Sequence, residues 1–296
     1  MAVGSSTARH QELLTETLQR ARQTLAAFTQ ADYAHPREVA LLEKDLTVLE
    51  QAPDAIRRLE EQLGDGAAFA VFVVSNPIIN TRATPDIPPL DGRFGEPLRL
   101  AACAGETESG SLGVYAAQPV TGLTVTTQAL HSETGTIAAE AVDVRALLWW
   151  YQGKGDGIAY NPQKELKAEL LVKDAHLIRV DRTAEENYLR STAPDGSETF
   201  VPCSTKDSAV LEGVRPMDAE TLQPLAIPAG TVQEYWVTVH VPDTARPGLY
   251  RGALLLEAAG GASRSVPVEL TVHPFELLPS RLIYSIYYRA TLAPDG

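Results

Sequence analysis

The stretch from Val232 to Phe275, VQEYWVTVHVPDTARPGLYRGALLLEAAGGASRSVPVELTVHPF, constrains the fold more than any other part of the chain. Tyr235, Val237, Val239 and Val241 share one parity, while Glu234, Thr238 and His240 share the other. That period of two belongs to a half-buried strand. Trp236 breaks the pattern on the outer face. Tyr250, Leu254 and Leu256 then alternate with Arg251, Ala253 and Leu255. Val266, Val268, Leu270 and Val272 alternate with Ser265, Glu269, Thr271 and His273. The pattern predicts three consecutive antiparallel strands with one apolar face.

The intervening residues suit such an arrangement. Pro247-Gly248 fits the centre of a type II turn, because proline presets a negative φ and glycine takes the following positive φ cheaply. Gly260-Gly261 predicts a tight hairpin. Pro267 has no amide proton, which puts the third strand at a sheet edge or delays its pairing. One apolar face must be covered by a second layer, so the expected class is mainly β: an antiparallel β-sandwich, immunoglobulin- or jelly-roll-like, preceded by an α-helical hairpin.

That hairpin is read from residues 6 to 63. Leu14, Leu18, Ala21, Leu25 and Phe28 recur at helical spacing, with Ser6 or Thr7 as a cap. Pro36 fits the first position of a second helix carrying Val39, Leu42, Leu46 and Leu49. Pro53 is expected to interrupt it before a short helix with Ile56, Leu59 and Leu63, which Gly64 and Gly66 end. Heptad-like spacing invites a coiled-coil dimer, but each helix holds only about three heptads, so intramolecular packing is the preferred reading.

The region beyond the hairpin opens with FAVFVVSNPIIN, Phe69 to Asn80, whose uniformly apolar character implies burial on both faces or an interface. TRATPDIPPLDGRFGEP is a long loop with Arg82, Asp86, Asp91 and Arg93 as its polar candidates. Strands are expected near 98–103, 111–117 and 120–127, and again within Thr136 to Gln152. NPQKELKAELLVKDAHLIRVD is read as a short helix followed by a strand.

Composition excludes several functions. A formal net charge of -13 argues against a phosphate-binding surface, so nucleic acid is not an expected partner. No apolar run approaches the ~20 residues that span a bilayer, so no membrane partner is expected. The N-terminus, MAVGSSTARHQELL, lacks an export signal; secretion or a periplasmic location fits only if a leader precedes it. The six histidines are scattered, and Cys103 and Cys203 read as two small buried residues rather than a disulfide or a metal site. GKGDG, at 153–157, matches neither a P-loop nor a dinucleotide fingerprint, and no cofactor is expected.

The candidate contacts for a glycan are Trp149, Trp150 and Tyr151, because aromatic faces stack on the apolar faces of sugar rings. Alternation places Trp149 and Tyr151 on one face and Trp150 on the other, so at least one belongs to the core.

The phrase YWVTVHVPDTARPGLYRGALLLE resembles the β-sandwich that precedes the catalytic barrel in bacterial proteins of glycoside hydrolase family 123. LRLAACAGETESGSLGVYAAQ, with Glu106 and Glu108, LLWWYQGKG, LLVKD and LAIPAG resemble further passages of that family, and YYR at 287–289 looks like the opening strand of its (β/α)8 barrel. The chain is thus read in three parts: the helical hairpin at 1–66, and, as the resemblance implies, a β-sandwich at 67–278 and a linker with the first barrel strand at 279–296. It implies hydrolysis of N-acetyl-β-galactosaminides by an adjacent Asp-Glu pair in the barrel. The chain contains no Asp-Glu dipeptide, so no catalytic residue carries over. Arg289 is the position nearest to where a sugar would bind. Glu106 and Glu108, two residues apart, do not suit a glycosidase pair and are expected to anchor a loop. The implied role is a non-catalytic portion supporting a barrel that is absent here. The alternatives are an independent carbohydrate-binding module and a structural β module.

Overall fold

The computed structural model describes residues 2–30, 33–64, 66–74, 85, 92–153, 163–203, 208–278 and 281. Two helices come first, α1 (Ala2–Gln30) and α2 (Pro36–Leu63). The strands begin with β1 (Phe69–Val73), β2 (Arg93–Phe94), β3 (Leu98–Ala102), β4 (Thr107–Ala116), β5 (Val120–Thr127), β6 (Leu130–His131), β7 (Thr136–Ile137) and β8 (Val142–Gly153). They continue with β9 (Lys164–Val172), β10 (Ile178–Asp181), β11 (Glu186–Thr192), β12 (Glu198–Pro202), β13 (Leu225–Ile227), β14 (Val232–His240), β15 (Gly248–Glu257) and β16 (Ser263–Val272). The protein is therefore mainly β, with several antiparallel sheets and none closed into a barrel among the described residues.

One sheet has six strands in the order β2-β1-β4-β14-β8-β9. A second runs β13-β5-β15-β16-β3, with β6 and β7 attached through β15. A small third sheet is β10-β11-β12.

The three strands that dominate the sequence do not form one meander. β14 pairs with β4 and β8, whereas β15 and β16 pair with each other in the second sheet. The residues between β14 and β15 include Pro242 and Pro247, which cannot donate to a ladder, and the turn there closes over Pro242 to Ala245, with Ala245 N–H donating to the Pro242 carbonyl. Gly248 is not a turn centre but the first residue of β15. Tyr250 locks this connection: its ring is buried and its hydroxyl donates to the Arg246 carbonyl at 2.9 Å. The hairpin at Gly260-Gly261 forms as expected, with Gly261 at φ +82° and its N–H donating to Ala258.

Period-two patterning reports which side chains are buried, not which strand covers them. One hydrophobic cluster takes Tyr235, Val237 and Val239 from β14, Leu112 and Val114 from β4, Tyr250 and Leu254 from β15, and Val266, Val268 and Leu270 from β16. Each buried aliphatic side chain contributes roughly 1.5–3 kcal/mol. Pro267 sits inside the second sheet, and the parallel pairing of β16 with β3 starts just after it, at Val268 opposite Leu98. Delayed pairing is how the strand accommodates it.

β1 is buried along its whole length, because its two faces meet different partners. Phe69, Val71 and Val73 join the main cluster, while Ala70 and Phe72 join a second one with Leu59 and Leu63 of α2. Gly64, at φ +33°, ends α2 with its N–H on the Glu60 carbonyl. Gln62 fastens the helix end to the sheet, its Oε1 accepting the Val71 N–H at 3.0 Å.

Three local expectations are corrected. α1 begins at Ala2, ahead of Ser6 and Thr7. α2 continues through Pro53, which is exposed while Ala52 and Ala55 beside it are buried, so the lost hydrogen bond faces solvent. KELKAELLV is a strand rather than a helix, since pairing with β8 outweighs its helix-favouring composition. Cys103 is buried, Cys203 only half-buried, and both are free thiols.

Candidate functional site

The outer face of the six-stranded sheet carries most of the aromatic and polar side chains that could meet a ligand, and strand register orders them in rows. In one row Tyr115 lies opposite Val232, with Trp149 in the same buried cluster, and in the next come Phe72, Gly113, Glu234 and Leu147. Further along come Ser111, Trp236 and Arg145, then Ser109, Thr238 and Asp143. The C-terminal end of α2 covers only the first part of this face.

That division decides the fate of the aromatic triplet. Trp149 is 9% exposed and packs with Leu59, Leu63, Phe94 and Tyr115 beneath α2. Trp150 points to the opposite face and is half-buried, with its indole Nε1 enclosed and without a hydrogen-bond partner among the described residues. Tyr151 is half-buried, and its backbone is held by the side chain of Asn187: its N–H donates to Oδ1 at 2.8 Å and its carbonyl accepts from Nδ2 at 2.7 Å. Asn187, 2% exposed, thereby fastens the three-stranded sheet to β8. The three neighbours in sequence do not form one platform. Arg289, Tyr284 and Tyr287 lie outside the described residues, as do Arg82, Asp86, Asp91 and residues 154–157.

The end of the face that α2 does not reach is polar around one aromatic ring. Trp236 is half-buried there, and the exception it makes to the alternation of its strand is the sequence signal for this site. Asp143 accepts from Arg145 Nε at 2.8 Å and pairs with Lys173 Nζ at 2.7 Å. Burial opposes its ionisation, but the hydrogen bonds from Lys173 and Arg145 prevail and hold the carboxyl below its ordinary range. Asp143 therefore stays ionised and cannot serve as a general acid near neutrality. Ser109 and Thr238 hydroxyls lie 3.1 Å apart across the strands, and Ser111 donates to the Tyr235 carbonyl at 3.0 Å. An indole beside hydroxyls, a guanidinium and a carboxylate can offer a polar ring-shaped ligand a stacking face and hydrogen bonds.

Glu106 closes the turn between β3 and β4, its carboxylate accepting the Cys103 N–H at 2.8 Å. Glu108 lies in β4 opposite Val239 of β14. Among the described residues, no three His, Cys, Asp or Glu side chains gather as a metal site requires, and no helix is long and apolar enough to cross a membrane.

No family model matches the chain, and no curated protein matches it. Among solved structures, a family 123 glycoside hydrolase from Clostridium perfringens, studied for glycolipid glycan hydrolysis, is similar over 70% of this chain at 12% identity and a TM-score of 0.45. This chain spans 28% of that protein's length. A PapD-like domain of human CEP192 is similar over 69% of this chain and 98% of its own, at 9% identity and a TM-score of 0.24. The enterotoxigenic E. coli adhesin CfaE is similar over 70% of this chain and 49% of its own, at 10% identity and a TM-score of 0.26. Likenesses this distant carry no argument about function.

Proposed function

We propose that the chain is a non-catalytic supporting portion of a glycoside hydrolase of the family 123 kind, acting on N-acetyl-hexosaminide glycans. In this reading residues 67–278 form a β-sandwich, residues 1–66 a helical hairpin braced against it, and residues from 279 lead into a catalytic barrel. The observation that carries it is the segment leaving β16. Phe275, Leu277 and Leu278 are 56%, 57% and 87% exposed, three large apolar side chains in four residues at the exit toward residue 279. Such a cluster is a surface that a neighbour covers. The paired state of Asp143 and the turn-closing role of Glu106 fit a part that supports chemistry rather than performs it.

The test is turnover of an aryl N-acetyl-β-galactosaminide by the purified chain, expected to be undetectable. Clear hydrolysis abolished by replacing one of its carboxylates would overturn the reading. A second reading, an independent carbohydrate-binding module, is favoured by half-buried Trp236 on the part of the sheet face beyond α2. It requires glycan binding by the isolated chain that Trp236→Ala removes without a change in thermal stability.

A further inference from the structure

The contact between the two helices of the hairpin is made by small and polar side chains. Thr17 and Ala21 of α1 and Asp45 and Ala52 of α2 are buried, and Arg20 donates to Asp45 at 2.8 and 2.6 Å. The leucines that regular spacing groups with Ala21 lie outside this seam. Leu18 is 39% exposed, Leu25 56%, and Leu46 of α2 53%.

These three open on one side. At about 100° per residue, Leu18 and Leu25 lie roughly 160° and 140° around α1 from Arg20. The helices run antiparallel, so the same sense of rotation from the seam carries Leu46, about 100° on from Asp45, to that side as well. There α1 has a hollow of about 430 Å³ lined by Thr15, Leu18, Gln19, Arg22, Gln23 and Ala26, none of them acidic. On α2, Glu43 and Glu50 flank Leu46 a turn away in each direction. Arg22, Glu43 and Glu50 are exposed, and none has an ion-pair partner among the described residues. The Arg20–Asp45 bridge sets the relative height of the helices. Counting from it in opposite directions puts Leu46 level with Gln19, in the middle of the hollow, and Glu43 level with Arg22.

We propose that this side of the hairpin is the interface for a second copy of the chain. A two-fold axis parallel to the helices lays α1 of one copy against α2 of the other, antiparallel, and preserves those heights. The partner's Leu46 then enters the hollow beside Leu18, and Arg22 meets the partner's Glu43. Symmetry repeats both contacts. The apolar contacts supply burial, while the charges choose the pairing, since α2 against α2 would oppose glutamate to glutamate. So few apolar side chains make a weak dimer, with a dissociation constant on the order of tens of micromolar. Dilute protein therefore keeps its hairpin exposed and unfolds as a monomer. The proposal stands independently of the hydrolase reading.

The experiment is analytical ultracentrifugation of the full chain at low salt, from about 1 to about 300 µM. A monomer–dimer equilibrium is expected, and Leu25→Ser and Leu46→Ser should each weaken it at least tenfold. Leu41→Ser removes a leucine that is 61% exposed but lies about 140° around α2 from Leu46, and should leave association unchanged. Arg22→Glu and Glu43→Arg should each weaken association at least fivefold, because like charges then face each other twice. An equimolar mixture of those two variants should dimerise as well as the unaltered chain, each supplying the charge the other has lost. A chain that stays monomeric at the highest concentration overturns the proposal and assigns the face to a different protein. Association that Leu41→Ser weakens as much as Leu46→Ser, or a mixture that fails to restore the dimer, overturns it too.

Discussion

The strands β14 to β16 and the helical hairpin are both legible from regular apolar spacing, yet they use it differently. Leu254, Leu256 and Leu270 of the strands are at most 1% exposed, whereas Leu18, Leu25, Leu41 and Leu46 of the hairpin are 39% to 61% exposed. In the sheets, every inward side chain meets a facing layer. In the hairpin the two helices pack chiefly on each other, the small side chains of Ala21, Ala52 and Ala55 are buried, and Arg20 donates to Asp45 at 2.8 and 2.6 Å. Only the end of α2, through Leu59 and Leu63, reaches a core. Apolar periodicity names the element, while the number of neighbouring layers fixes how much stability it yields.

The contrast is broken or sharpened by substitution, monitored as the midpoint of chemical unfolding. Leu254→Ala in the shared core should cost about 2–5 kcal/mol, the range for a buried leucine whose cavity cannot collapse. Gly113→Ala should cost about 1–3 kcal/mol, because the ring of Phe72 lies directly over Gly113 and leaves no room for a Cβ. Tyr235→Phe should raise stability by up to about 1 kcal/mol: burial pushes the phenol pKa up, and its hydroxyl has no hydrogen-bond partner among the described residues. Leu25→Ser should change stability by no more than about 0.5 kcal/mol. A loss for Leu25→Ser as large as that for Leu254→Ala would show that the hairpin is covered in solution and would end the comparison.

Acid should separate regions too. The Asp143 carboxyl is held below its ordinary pKa, so its stabilising contribution is present above the unfolded-state value and disappears as pH falls through the folded one. Asp143→Asn should remove part of the stability lost on acidification, measured by thermal unfolding from neutral pH downward, and leave a weaker pH dependence.

Much of the local structure was legible because it depends on near neighbours in sequence. The parity of β14, β15 and β16 and the double burial of β1 follow from side-chain type alone. What could not be read depends on distant partners. Nothing in KELKAELLV announces that β8 will pair with it, and no local rule assigns β14 and β15 to different sheets. For the candidate site, alternation put Trp149 and Tyr151 on one face, but the position of α2 above Trp149 is a tertiary fact. Trp236 was visible as an exception to its own strand, and Arg93 as a polar residue in a loop. The polar surroundings of the one and the ionic neighbours of the other appear only when β8, α2 and β3 are in place.

The parallel ladder between β16 and β3 has a kinetic consequence. It joins residues as far apart as Arg99 and Glu269, 170 positions in sequence. During synthesis β3 must wait until its partner β16, 170 positions later, has left the ribosome, and loop closure over that span slows the search. Refolding should accordingly be slow for a domain of this size, and fragments ending before β16 should be prone to aggregate through the waiting strand.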